Sequence, residues 1–161
     1  MGSFNNKIAA EYNPPRKWVL TRALSYKNEE IDSETLEKVG VKIKSDRVSV
    51  SKGFVTDLAS VPRICWMFIA PFDVARAAVV HDILYEKINT QYKTVNESMA
   101  AEDGPATKKE REVYREIADH VFLEGMNASE PSVASWKKYA AYYAVRAFGR
   151  WVINSSAKRV A

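Results

Sequence analysis

The sequence predicts an α+β fold, a small antiparallel sheet near the N-terminus packed against about three main helices. Three observations lead there. Apolar residues alternate between positions 17 and 56, and from Val61 onward they recur at spacings of three and four. The chain has 161 residues, 47% hydrophobic and 27% charged, which suits one domain with a core and is cramped for two.

Residues 1–16 are polar, run into Asn13-Pro14-Pro15 and predict an extended arm, leaving 17–161 as the single α+β domain. In "KWVLTRALSY" (17–26), Trp18, Leu20 and Leu24 share one face of a half-buried strand that Arg22 interrupts. "YKNEEIDSE" reads as a turn. Val39, Val41 and Ile43, then Val48 and Val50 beyond a Ser-Asp turn, predict a hairpin leading to Gly53.

Pro71 and Asp73 open a helix over about 73–88, whose stripe is Val74, Ala77, Ala78, His81, Tyr85 and Ile88. Residues 89–107 have mixed polarity and a Gly-Pro stop, and predict a loop or lid. Thr107 and Glu110 make a capping-box pattern for a helix to about Met126, with Tyr114, Ile117, Ala118, Val121 and Phe122 inward. Ser129 or Ser132 is placed to cap a last helix carrying Val133, Trp136, Ala140, Tyr143, Ala144, Ala147, Phe148 and Trp151 as its core stripe.

Several classes are excluded or narrowed. Cys65 is the only cysteine, so there is no internal disulfide and no cysteine-rich zinc cage. No apolar run approaches the roughly 20 residues of a membrane span, and the start lacks the apolar centre of a secretory signal, which leads us to expect synthesis inside the cell. Gly2 is followed by Asn at position 6, against myristoylation. Net charge is +4 overall, yet residues 131–161 carry six Lys or Arg and no acid, leaving the other 130 residues at −2. Such a basic end suits an anionic membrane face, an acidic partner or nucleic acid. No base-reading pattern accompanies it, which argues against nucleic acid.

The chemistry concentrates in "GFVTDLASVPRICWMFIAPFDVARAAVVHDILYE". His81 and Asp82 are neighbours on a helix and point about 100° apart, so they meet one point only at a helix edge. Asp57, where strand regularity ends, and Asp119 on the next helix can complete a ligand set with them. One imidazole and several carboxylates suit Zn²⁺, Mn²⁺, Fe²⁺ or Mg²⁺, which would acidify a bound water for hydrolysis. The alternative is structural: His81 as a core histidine satisfied by Asp57 or a backbone carbonyl, with Asp82 capping a neighbouring turn. Equally, Thr56, Asp57 and Ser60 can bond nearby amides and hold an irregular turn before Pro62. A Ser60-His81-Asp57 triad lacks the glycine pattern of a nucleophile elbow.

The blocks "GFVTDLASVPRICW", "AAVVHDILY", "REIADHVFLEGM" and "YYAVRAFG", in that order, resemble the phage and prophage family catalogued as domain of unknown function 1353, over most of residues 17–153. Its recurring polar positions fall on Thr56, Asp57, Ser60, Arg63, His81, Asp82, Asp119 and Arg146. Two departures stand out: Leu58 occupies a position that is usually Gly, and 89–107 is longer and more acidic than usual. A looser similarity to HD-type metal phosphohydrolases fails because no His precedes the His81-Asp82 doublet, and His120 follows it at a long interval.

The resemblance implies a phage origin without an established reaction. Our first expectation is a hydrolase-like site with Asp57, His81 and Asp82 catalytic, Asp57, His81, Asp82 and Asp119 holding a divalent metal, and Ser60 and Arg63 orienting substrate. The second is a non-catalytic virion component of tail or baseplate, docking on other virion proteins through residues 1–16 and the basic helix 131–161. The third is an inhibitor of a host factor. Location follows as host cytoplasm on synthesis, and the virion for the second.

Overall fold

The computed structural model describes residues 2–15, 17–40, 46–58, 74–98, 104–130 and 132–156. The fold is α+β. Among the described residues, two small antiparallel sheets precede three long helices, with one short helix between strands.

The strands are β1 (Ser3–Phe4), β2 (Ala10–Asn13), β3 (Lys17–Leu20), β4 (Leu24–Lys27), β5 (Arg47–Val50) and β6 (Val55–Thr56). One sheet has the order β1-β4-β5 and the other β2-β3-β6. The single strand expected over 17–26 is therefore two, divided between sheets. The chain bends at residues 21–23, where Thr21 N–H donates to Ala9 O at 2.9 Å and Arg22 donates to Lys7 O at 3.0 Å. Arg22, which broke the alternation, marks that bend. Residues 1–16, expected as an arm, supply a strand to each sheet, with Phe4 opposite Tyr26 and Tyr12 opposite Trp18.

Between β4 and β5 lies α1 (Ser33–Lys38), which the turn reading missed. Asp32 caps it, accepting from Thr35 N–H at 2.7 Å, and Leu36 anchors it in the core. Val39, assigned to a hairpin strand, is instead its buried C-cap. Val41 and Ile43 lie outside the described residues, as does Cys65. β5 is a strand, and it pairs with β4.

The long helices are α2 (Ala75–Ser98), α3 (Gly104–Asn127) and α4 (Ser135–Ser156). The expected α2 stripe is buried throughout. Val79, Val80, Ile83 and Leu84 are buried too, so the first half of α2 is enclosed on most sides, between the β4-β5 sheet and α3. The loop or lid expected over 89–107 is mostly helix. No Gly or Pro interrupts 89–103, and Gly104-Pro105 opens α3 rather than stopping α2, because proline in a first turn lacks only an N–H that has no helical partner. α3 also begins before Thr107.

The stripe read for α4 is corrected. Ala141, Val145, Gly149 and Val133 are buried, whereas Trp136, Ala140, Tyr143, Ala147 and Phe148 are exposed. Small residues win the inner face because α4 lies close against both α2 and α3: a Cβ on Gly149 would sit 2.7 Å from the Tyr85 hydroxyl on α2 and 3.5 Å from Arg115 Nη2 on α3. Ser129 does not cap α4. Its hydroxyl donates back to Gly125 O at 2.9 Å, at the end of α3. Among the described residues, no helix is long and apolar enough to cross a membrane.

Candidate functional site

The three long helices meet around a buried carboxylate. Asp119 on α3 is 0% exposed and His81 on α2 is 2% exposed. Asp119 Oδ1 lies 2.8 Å from His81 Nε2 and accepts from the Tyr85 hydroxyl at 2.6 Å, while Oδ2 accepts from Arg146 Nη1 at 3.2 Å. These partners come from one turn of α2 and from α4, so one side chain ties three helices together.

Helical spacing builds this arrangement. His81 and Tyr85 are four apart, as are Arg115 and Asp119, so each pair shares a helix face. Arg115 is also buried; it donates to Glu112 at 2.7 Å and to the backbone carbonyl of Arg146 at 3.1 Å. Phe122 and Tyr85 pack against the imidazole, with ring centroids 5.1 and 4.1 Å away.

The electrostatics favour an ionised Asp119. Burial alone would raise its carboxyl, but donation from His81, then Tyr85 and Arg146, outweighs burial and holds it below the usual carboxylate range. Tyr85 is pushed upward by burial and then by the negative charge of Asp119. Burial works against the Arg146 cation, yet Asp119, Glu116 and Glu112 raise it above its ordinary value.

A carboxylate only accepts, so His81 Nε2 carries a proton. Nδ1 is also buried and has no hydrogen-bond partner among the described residues. In the neutral imidazole it is therefore the atom with the lone pair. Asp119 thus fixes both the tautomer and the ring orientation, as a carboxylate does behind a histidine general base or a metal-bound imidazole.

A second polar group lies at the start of this region. The Thr56 hydroxyl on β6 donates to Asp82 on α2 and accepts from Leu58 N–H at 3.0 Å. This is the local side-chain-to-backbone bond expected of Thr56. Leu58 has φ of 52°, the left-handed region, at the position where the resembled family usually has Gly. Its buried side chain holds it there.

The structure places four of the sequence-predicted residues as follows. His81 and Asp119 are in direct contact. Asp82 is engaged by Thr56, and Asp57 is exposed at the end of β6. Asp119, expected as a metal ligand, has both oxygens occupied by side-chain donors. Among the described residues, no group of three His, Cys, Asp or Glu side chains is arranged to hold a metal ion. Ser60 and Arg63 lie outside the described residues. Tyr85 and Arg115 were missed as members of the network. Their signal was spacing: a tyrosine one turn after His81, and an arginine one turn before Asp119.

A family model described as protein of unknown function (DUF1353) matches residues 33–145, which include β5, β6, α2, α3 and the first half of α4. No curated protein and no solved structure matches the chain.

Proposed function

Taking as premise that this chain belongs to the DUF1353 family, we propose that it is a phage-encoded, hydrolase-like protein whose working group is His81. The observation behind this reading is the carboxylate-imidazole pair with one ring nitrogen left over. Asp119 holds Nε2–H, and Nδ1 keeps a lone pair with no partner among the described residues. Such a nitrogen takes a proton from a water or hydroxyl nucleophile, and the resulting imidazolium is stabilised by the Asp119 charge. Asp82 follows His81 on α2, and Asp57 follows β6 next to Thr56, whose hydroxyl donates to Asp82. The proton transfer proposed here uses the chain's own His81 and Asp119, and the metal-dependent form is kept as an outcome of the test.

The test compares hydrolysis of an activated aryl ester by wild type, His81→Gln, Asp119→Asn and His120→Gln, with folding followed by circular dichroism and metal content by elemental analysis beside Asp57→Ala. The chain has two histidines and His120 is exposed, so His120→Gln is an internal control. We expect pH-dependent hydrolysis that His81→Gln abolishes and His120→Gln preserves. Equal rates in folded wild type and His81→Gln overturn the reading. Stoichiometric metal that Asp57→Ala loses would replace it with the metal-dependent form.

A second reading, a non-catalytic virion component, is supported by the completeness of the burial around His81 and Asp119. There the network locks three helices, and the surfaces carry the function. Inactivity of wild type together with incorporation into particles would favour it.

A further inference from the structure

The outward face of α4 belongs to neither the core nor the His81 network. Trp136, Tyr139, Tyr143 and Phe148 are between 41% and 65% exposed, and of the long helices α4 packs chiefly on α3. Along the middle of that face run Trp136, Ala140, Tyr143 and Ala147, at steps of four, three and four. This is the spacing of a two-helix seam, and along it large and small residues alternate.

That alternation is self-complementary. When two copies of the helix run antiparallel about a two-fold axis between residues 141 and 142, Trp136 falls opposite the partner's Ala147, and Ala140 falls opposite the partner's Tyr143. Each aromatic side chain meets an alanine, and the two-fold repeats both pairs. We infer that this face is the contact surface of a homodimer formed by antiparallel pairing of α4.

Area and charge support a second copy over other occupants. An aromatic side chain offers about 150–250 Å², so the three that face the seam, Trp136, Tyr139 and Tyr143, each a little over half exposed, supply roughly 350 Å² per protomer and about 700 Å² in the pair. With the seam alanines added, this is the size of a weak, reversible interface, well below the standard class of about 1,200 Å² and above. An anionic bilayer fits less well. Lys138 is bonded to Asn127, and Arg146 is held among Asp119, Glu112 and Glu116, so half of the four cations on α4 are already engaged, and Glu112 and Glu116 are themselves 44% and 57% exposed beside them.

Sedimentation velocity of the full chain over a concentration series tests this pairing. Wild type should show concentration-dependent dimer. Tyr143→Ala removes a knob and Ala140→Tyr adds one where the partner's already sits, so each should weaken association at least tenfold. The swap Ala140→Tyr/Tyr143→Ala restores large against small in the same register, and should recover dimer to within a fewfold of wild type. All these positions are exposed, so thermal melts at concentrations where wild type is monomeric should be nearly unchanged. A chain monomeric at every concentration, or a swap no better than the single variants, overturns the pairing. A monomer that cosediments with phosphatidylserine vesicles overturns it in favour of a membrane surface.

Discussion

The Oδ1 of Asp119 lies 2.8 Å from the Nε2 of His81, and neither side chain reaches solvent. Burying a carboxylate is costly unless it is paired and hydrogen-bonded, and Asp119 meets that condition with three donors from two other helices. Its ionisation is thereby coupled to the packing of α2, α3 and α4.

Replacing Asp119 with Asn should destabilise the fold by about 3 kcal/mol at neutral pH, because it leaves Arg146 and His81 without their buried counter-charge. Its carboxyl is lowered in the fold, so its contribution is present above the unfolded value of about 3.9 and is lost as pH falls through the lower folded value. Urea denaturation should show a wild-type advantage that is level near neutrality and shrinks as pH drops below about 4. An advantage unchanged down to pH 2 would mean the Asp119 charge is not what matters.

The imidazole of His81 should be an Nε2–H tautomer when neutral. Two-bond nitrogen-proton correlation spectra separate the two ring nitrogens, and with only two histidines, His120→Gln leaves one signal set to assign. A protonated Nε2 beside an unprotonated Nδ1 is expected. The opposite tautomer would remove the basis for placing the reactive lone pair on Nδ1.

Leu58 tests how far the turn after β6 is set by backbone and how far by burial. A non-glycine residue at φ of 52° costs roughly 1–2 kcal/mol, while burying a leucine side chain returns about 1.5–3 kcal/mol. Leu58→Ala keeps the strain and loses the burial, and Leu58→Gly loses both. The glycine variant should therefore be the more stable of the two by about 1 kcal/mol, the reverse of the order in ordinary helical or extended positions. Thermal melts of the pair decide it; alanine equal to or above glycine would show that the left-handed conformation is not maintained in solution.

The sequence made parts of this structure legible for physical reasons that also explain its gaps. The α2 stripe was readable because the first half of that helix lies in the core and buries its apolar side chains. The α4 stripe was not, because hydrophobicity favoured the aromatic residues while close packing on α3 required Ala141, Val145 and Gly149 inside. α1 was hidden by its six residues, although Asp32 before it and Gly40 after it are ordinary start and stop signals. At the site, His81 and Asp119 were singled out by residue type. Their partnership with Tyr85 and Arg146 needed the helices' rotation and distance, which periodicity alone does not carry.

Gly149 and Tyr85 give a sharper test of that packing. Alanine in place of glycine within a helix normally stabilises by roughly 1 kcal/mol. At 149 the new methyl would lie 2.7 Å from the Tyr85 hydroxyl and 3.5 Å from Arg115 Nη2. The hydroxyl cannot swing aside, because it donates to Asp119 at 2.6 Å. Gly149→Ala should therefore destabilise, by about 1–3 kcal/mol. Tyr85→Phe alone should cost about 1.5–3 kcal/mol by removing a hydrogen bond to a charged group. In the double variant the phenyl ring has no hydroxyl to meet the methyl, so the combined loss should fall short of the sum of the single losses by at least about 1 kcal/mol. Urea titrations of the four proteins close the cycle, and strict additivity would show that α4 does not approach Tyr85 as closely as 2.7 Å.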